Sequence, residues 1–259
     1  MISLNIAGTG MEAQQTRLNV VSNNIANGST NGYKRAAAVF EDLTYQNLRQ
    51  VGASSTEQST LPTGLQVGLG VRTVATSREF SQGSLQQTGN KFDLAIQGDG
   101  FFQVNMPDGT TGFSRDGSFQ VNSAGTLVTA TGLPIANGVT VPANATAVTI
   151  AGDGTVTATI PGQQAPQGIG TIALARFINP AGLTPLGGNL YAESAASGQP
   201  QAGTPGADGM GALMQGFLEG SNVNMVQELV TMIQTQRAYE MNSKAIQTSD
   251  QMMQKLAQL

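Results

Sequence analysis

The side chains best placed for chemistry in this sequence are carboxylates set among glycines. Gly98-Asp99-Gly100 and Gly152-Asp153-Gly154 resemble fragments of calcium-binding loops. An EF-hand loop needs oxygen ligands at alternating positions, and neither segment supplies them. Turn formation explains both, because an aspartate before glycine bonds its own backbone two residues on. Asp93 and Asp99 have the right type for the acid pair of a glycosidase. Six residues of strand separate them by ~20 Å, whereas such a pair sits about 5–9.5 Å apart. Other carboxylate pairs could meet through folding, and the sequence leaves that open. No phosphate-binding loop of the G-x-x-x-x-G-K-[ST] form occurs, and no dinucleotide fingerprint follows a strand. The chain has no histidine and no cysteine, so the commonest neutral-pH base, the commonest metal ligand and all thiol chemistry are absent. The expectation is a protein with no catalytic residues, no metal and no cofactor: not an enzyme.

What remains is a chain built to pack. Its 259 residues suffice for one or two buried cores plus accessory segments. Charged residues make up only 11%, while Ala, Gly, Ser, Thr, Gln and Asn are abundant. Such a surface relies on amides and hydroxyls, which cost less to bury against neighbours than unpaired charges. The first ten residues lack a basic stretch followed by an apolar core, so no cleavable secretory signal is expected. No apolar run approaches the length of a membrane span, so no membrane insertion is expected.

The periodicity predicts an α+β chain with helical ends and a β middle. Leu4, Ala7, Met11, Leu18, Val21 and Ile25 recur at spacings of three, four or seven, with Gln14 the one polar member, as in the seam of a coiled coil. Asn27-Gly28 and Asn31-Gly32 stop that helix, within a first segment of residues 1–35. Asn23, Asn24 and Asn27 can satisfy its last carbonyls and adopt left-handed conformations at low cost. At the other end Asn224 is placed to cap a helix of about 34 residues, roughly 50 Å long, in a segment 223–259. There Val226, Leu229, Val230 and Ile233 form one apolar stripe. Met241, Ala245, Met252, Leu256 and Leu259 form a second, turned around the axis by roughly 80°. The helix is expected to change packing partner near Arg237.

Between the helices, 36–91 reads as extended chain and β-structure, with a polar excursion at 46–66 containing Arg49, Glu57, Leu61, Pro62 and Leu65. Residues 92–193 carry short strands separated by Asp-Gly, Ala-Gly and Pro-Gly turns, which predict an antiparallel sandwich or open barrel. Residues 194–222 read as a Gly/Pro-rich return linker. Residues 92–220 hold eight acids and only two bases, Arg115 and Arg176. That balance of −6 argues against nucleic acid as a partner.

Three blocks carry a resemblance. Leu18 to Asn27 (LNVVSNNIAN), with Thr30, Gly32, Tyr33 and Lys34, resembles the N-terminal signature of the bacterial flagellar rod and hook axial proteins. Asp93 to Phe102, with Arg115 to Phe119 and Leu127 to Thr129, is similar to the β-domain entry of the same family. Leu218 to Asn224, with Thr235 to Ile246, is similar to their C-terminal helix. Chain length and residues 46–66 resemble the distal rod branch, in which that stretch is credited with making the rod straight and stiff.

The resemblance implies a structural subunit that self-assembles into a helical homopolymer, the paired terminal helices lining an inner tube with the β domain outside. Family motif residues would be Asn23, Asn24, Asn27 and Gly32. Implied partners are the proximal rod and hook proteins, the P- and L-ring bushing around the rod, and the flagellar type III export apparatus. The implied location is the basal body, spanning the periplasm. The alternatives are another flagellar axial subunit or a periplasmic wall-cleaving enzyme.

Overall fold

A computed structural model of the chain describes residues 2–49, 54–56, 59–60, 64–163 and 165–257. These fall into two compact units. One comprises residues 1–26, 36–78 and 224–259; the other comprises 27–35 and 79–223. The chain is thus helical at both ends, with a central region of antiparallel sheets.

The first unit holds two helices and a long hairpin. Helix α1 spans Ile2–Ala26 and helix α2 spans Met225–Ala257. Asn224 caps α2 as expected: its side-chain oxygen accepts the backbone N–H groups of Val226 and Gln227 at 3.1 and 3.2 Å. The two helices pack antiparallel. Gly10 lies against Asn242 and Asn24 bonds Glu228, so equal steps forward on α1 match equal steps back on α2. Strand Ala36–Asp42 pairs with Val71–Arg78, and Tyr45–Arg49 pairs with Leu65–Gly68. Bonds from Leu43 N to Gly70 O and from Leu69 N to Thr44 O join the two ladders into one ribbon. Its described outer strands, Ser54–Thr56 and Ser59–Thr60, also pair. Across 46–66 the described strands pair antiparallel, Tyr45–Arg49 with Leu65–Gly68 and Ser54–Thr56 with Ser59–Thr60. The first ladder alone reaches roughly 25 Å at about 3.3 Å per residue.

The second unit is layered β-structure. A six-stranded antiparallel sheet runs in the order Thr184–Gly187, Leu190–Ala192, Thr111–Ser114, Phe101–Asn105, Leu174–Arg176, Gln201–Gly203. Ala147–Ile150, Thr155–Thr159 and Gln167–Thr171 make a second sheet, with two-stranded pairs around them. Side chains alternate across a strand, and the doublet Phe101-Phe102 uses both faces. Phe102 enters the larger core with Leu94, Ile96, Phe119 and Leu174. Phe101 enters a smaller aromatic core with Phe113, Phe177 and Tyr191. Edge-to-face ring pairs fill both, at 5.0 Å for Phe102–Phe119 and 4.8 Å for Phe113–Phe177.

The segment expected as a return linker is structured. Gln201–Gly203 is an edge strand of the large sheet, Ala212–Gln215 pairs with Leu94–Gln97, and Phe217–Glu219 pairs with Leu85–Gln87. Its glycines serve close approach as well as turning: a β-carbon on Gly211 would lie 2.6 Å from the Gln97 carbonyl oxygen. Glycine content thus hides strand pairing where two backbones touch.

Gly117 shows the same constraint at its most severe. A β-carbon there would fall 1.7 Å from the carbonyl oxygen of Leu94, whose own N–H donates to Gly117 O. Gly117→Ala is expected to lower the unfolding free energy by about 2–4 kcal/mol, checked by urea denaturation of the full chain.

Candidate functional site

No cluster of three or more potential metal-ligating acids occurs among the described residues. Two of the aspartates singled out for chemistry, Asp93 and Asp153, accept local hydrogen bonds. Asp93 is buried and accepts hydrogen bonds from the Thr88 hydroxyl at 2.6 Å and the Asn90 amide at 2.9 Å. Asp153 accepts the Thr155 N–H at 2.9 Å, and that bond holds its carboxyl below the usual range. Asp108 accepts both the hydroxyl and the N–H of Thr110, which act the same way.

The surfaces that differ from an ordinary exterior lie on the helices. On α1, Ala7 and Val21 are buried, while Leu4, Met11, Leu18 and Ile25 are half-buried. Ala13 and Asn24 are buried too, and periodicity of apolar residues could not flag either. On α2 Glu228 and Thr235 are buried, and Thr231, Met232, Ala238, Asn242, Ser243, Ile246 and Ser249 are half-buried, so small and polar residues share this face with Met232 and Ile246. Small side chains let the helices come close: a β-carbon on Gly10 would stand 2.9 Å from the Asn242 amide nitrogen. Asn24 is fully buried and its amide reaches Glu228 at 3.3 Å.

The two apolar stripes of α2 therefore face away from this seam. Val226, Ile233, Met241 and Met252 are 71%, 52%, 67% and 60% exposed, and Leu229, Val230 and Ala245 are exposed as well. The change of partner expected near Arg237 does not occur within the chain, because neither stripe is covered. The side chain of Leu256 and all of Leu259 lie outside the described residues.

The hairpin is exposed in the same manner. Val39, Tyr45, Leu48, Leu65 and Val74 are open to solvent, and Arg49 pairs across from Leu65. Tyr45 lies over Gly68 of the partner strand, 3.4 Å from where a β-carbon would be. Glu57, Leu61 and Pro62 lie outside the described residues.

The asparagine motif does not take the left-handed backbone expected of it. None of Asn23, Asn24 and Asn27 has a positive φ; the left-handed residue is Gly32, at +68°. Asn24 reads the peptide of Ala36 from both sides, its oxygen accepting the N–H at 3.0 Å and its amide donating to the carbonyl at 2.8 Å. It thereby acts as a strand edge in side-chain form, fastening the first hairpin residue to α1. Asn27 accepts the Thr30 hydroxyl across the turn, and Asn23 is exposed on the last turns of α1. Gly32 is needed twice over: a β-carbon would also sit 2.5 Å from the Asp116 backbone nitrogen.

Beyond that turn stands an ion network that the sequence quoted without predicting. Lys34, Arg115 and Glu219 come from the three motif blocks and are all buried. Lys34 Nζ contacts Glu219 Oε1 at 2.6 Å and donates to the Ser81 carbonyl at 2.8 Å. Arg115 Nη1 contacts Glu219 Oε2 at 3.3 Å and donates to the Gly98 carbonyl at 2.8 Å. The same carboxylate accepts the Gly83 N–H, and the Glu219 carbonyl accepts that of Gly32. Burial pulls the Lys34 ammonium and the Arg115 guanidinium below their usual ranges, and Glu219 opposes it in both. A buried ion pair adds little over an apolar substitute, but breaking one strands its partner. Glu219→Gln is accordingly expected to destabilise the chain by about 3–5 kcal/mol. Lys34→Met should cost less, because Arg115 still faces the carboxylate. Paired denaturant titrations give both values.

The comparisons with known proteins match these regions. The profile described as "Flagella basal body rod protein" matches residues 4–34, "Flagellar hook protein FlgE/F/G D1 domain" matches 95–158, and "Flagellar basal body rod FlgEFG protein C-terminal" matches 214–259. The flagellar basal-body rod protein FlgG of Buchnera aphidicola subsp. Schizaphis graminum is 55% identical over 99% of both chains. That of Bacillus subtilis is 38% identical over 97% of this chain and 96% of its own. The flagellar hook protein FlgE of Helicobacter pylori is 45% identical over 49% of this chain but only 18% of its own length. A seam of mostly small and polar residues, a fastened turn and a shared ion network thus sit on full-length likeness to rod proteins, and the chain belongs to the family of flagellar basal-body rod proteins FlgG.

Proposed function

We propose that this rod subunit polymerises with copies of itself into the distal, rigid segment of the flagellar axis and carries torque without turnover. The observation that carries the reading is the outward apolar surface of α2. Val226, Leu229, Val230, Ile233, Met241 and Met252 are uncovered, while the inward face holds Glu228, Thr235 and Asn242 with only Met232 and Ile246 as large apolar members among the described residues. An apolar row of this length left in water is unfavourable, at about 25 cal/mol for each Å², and neighbouring copies supply cover for it. The complementary α1 positions, Leu4, Ala7, Met11, Leu18, Val21 and Ile25, hold that helix against its own unit. Related rod and hook proteins share the motif blocks, so the proximal rod below and the hook above are the fitting neighbours. A periplasmic course through the P- and L-ring bushing, and delivery by the flagellar type III apparatus, belong to the same proposal.

The hairpin tip supplies stiffness in this reading. A two-stranded ribbon with exposed rows on its surface is barely stable alone in water. Tyr45, Leu48, Arg49 and Leu65 therefore call for a neighbour, with Glu57, Leu61 and Pro62 assigned to the same stretch.

Ile233→Glu and Met241→Glu test the helical face. Each site is exposed, so the free subunit should keep its stability within about 0.5 kcal/mol, while rods seen by electron microscopy of isolated basal bodies should be lost. Full-length rods from both variants would refute self-assembly through α2. Deleting residues 46–66 should leave assembly possible but give shorter or more flexible rods; straight rods of full length would remove stiffness from that segment.

A further inference from the structure

The second unit contains a cleft of about 170 Å³ lined by Phe80, Asp99, Phe101, Arg115, Arg176 and Phe177, among others. Residues 92–220 have two basic side chains against eight acidic ones, and both bases line this one cleft. Chance placement over a β domain would scatter them. Arg115 is 3% exposed, and its Nε has no hydrogen-bond partner among the described residues. Its guanidinium carbon stands 5.3 Å from the centre of the Phe101 ring, which keeps one of its faces dry. Arg176 is exposed, and its hydrogen bond to the Asp208 carbonyl is a long 3.5 Å. At the rim Ile178 is 79% exposed, the most open large apolar residue described.

Of the charged side chains that line the cleft, Asp99 and Arg115 stand near each other and Arg115 is also paired with Glu219, whereas Arg176 is exposed and makes no ion pair among the described residues. A dry aromatic wall, a buried guanidinium and a second, exposed guanidinium without an acidic partner suit a carboxylate.

We propose that this cleft is a copy-to-copy socket, in which Arg176 and Arg115 receive an exposed turn carboxylate, Asp108 or Asp153, from a second copy of this chain. The proposal rests on self-assembly. Its choice of occupant follows from charge: a subunit whose β domain is acidic presents carboxylates to its neighbours, and both basic side chains of 92–220 stand at this one cleft. Asp108 and Asp153 are the candidates because each is exposed and held at a turn by backbone bonds. They project a fixed charge at little entropic cost. Ile178, at the rim, is covered by the same contact.

The test is a set of charge-removing variants of the full chain, scored as the fraction of isolated basal bodies bearing a complete rod. Arg176→Gln should leave the melting temperature of the free subunit unchanged and lower that fraction about tenfold. Asp108→Asn or Asp153→Asn, which keeps the turn bonds, should do the same for one of the two. Combining that variant with Arg176→Gln should add no further loss, since both remove one interaction. Normal rods from Arg176→Gln overturn the socket while leaving α2-driven assembly intact. So does a loss that multiplies with both asparagine variants, because the occupant is then a different anion. If Met241→Glu also assembles normally, the parent reading fails with it.

Discussion

The carboxylate of Glu219 is the constraint on which the second unit depends. Three stretches distant in sequence must converge for it to be buried: the turn after α1 brings Lys34, the loop after residue 114 brings Arg115, and the strand before α2 brings Glu219 itself. Burying three charges is unfavourable unless every one is met. Carbonyls of Ser81 and Gly98 and the N–H of Gly83 meet most of that requirement, with Arg115 Nε left over among the described residues. Such a hub adds little net stability, yet it accepts few alternative arrangements. It specifies where the chain leaves one helix and where it heads toward the other.

A different logic holds the helices together. In a typical amphipathic pair the apolar faces meet and the polar faces see water. Here the inward face of α2 carries the polar Glu228, Thr235, Asn242 and Ser249 beside Met232, Ala238 and Ile246, and the longer apolar stripes point outward. Closeness of approach at Gly10 and the buried Asn24–Glu228 bond supplement the burial of Ala7, Ala13 and Val21 at this seam. Much of the apolar surface of α2 is thereby left uncovered by its own chain.

Much of this was legible in the residues. The helix ends, the Asn224 cap, the strands at 101–105, 111–114, 147–150 and 155–159, and the turn role of Asp153 follow from periodicity and short-range chemistry. The inward face of α2 was not legible, because a hydrophobic stripe announces burial without saying against what. Asn24 was read as a local helix stop; its real partner, Ala36, is twelve residues away. Lys34, Arg115 and Glu219 look like surface charges singly, and only their convergence makes them internal. The strands at 201–203 and 212–215 hid behind glycines whose purpose is contact between backbones.

The helical seam also bears on how the subunit responds to concentration. If the burial that favours α2 is supplied by other copies, folding of the helical unit and growth of the polymer are linked equilibria. The stability of α2 then rises with the supply of subunits, and an isolated chain holds its terminal helices less firmly than one within a rod. A subunit of this kind is easiest to unfold before it is incorporated and hardest afterwards.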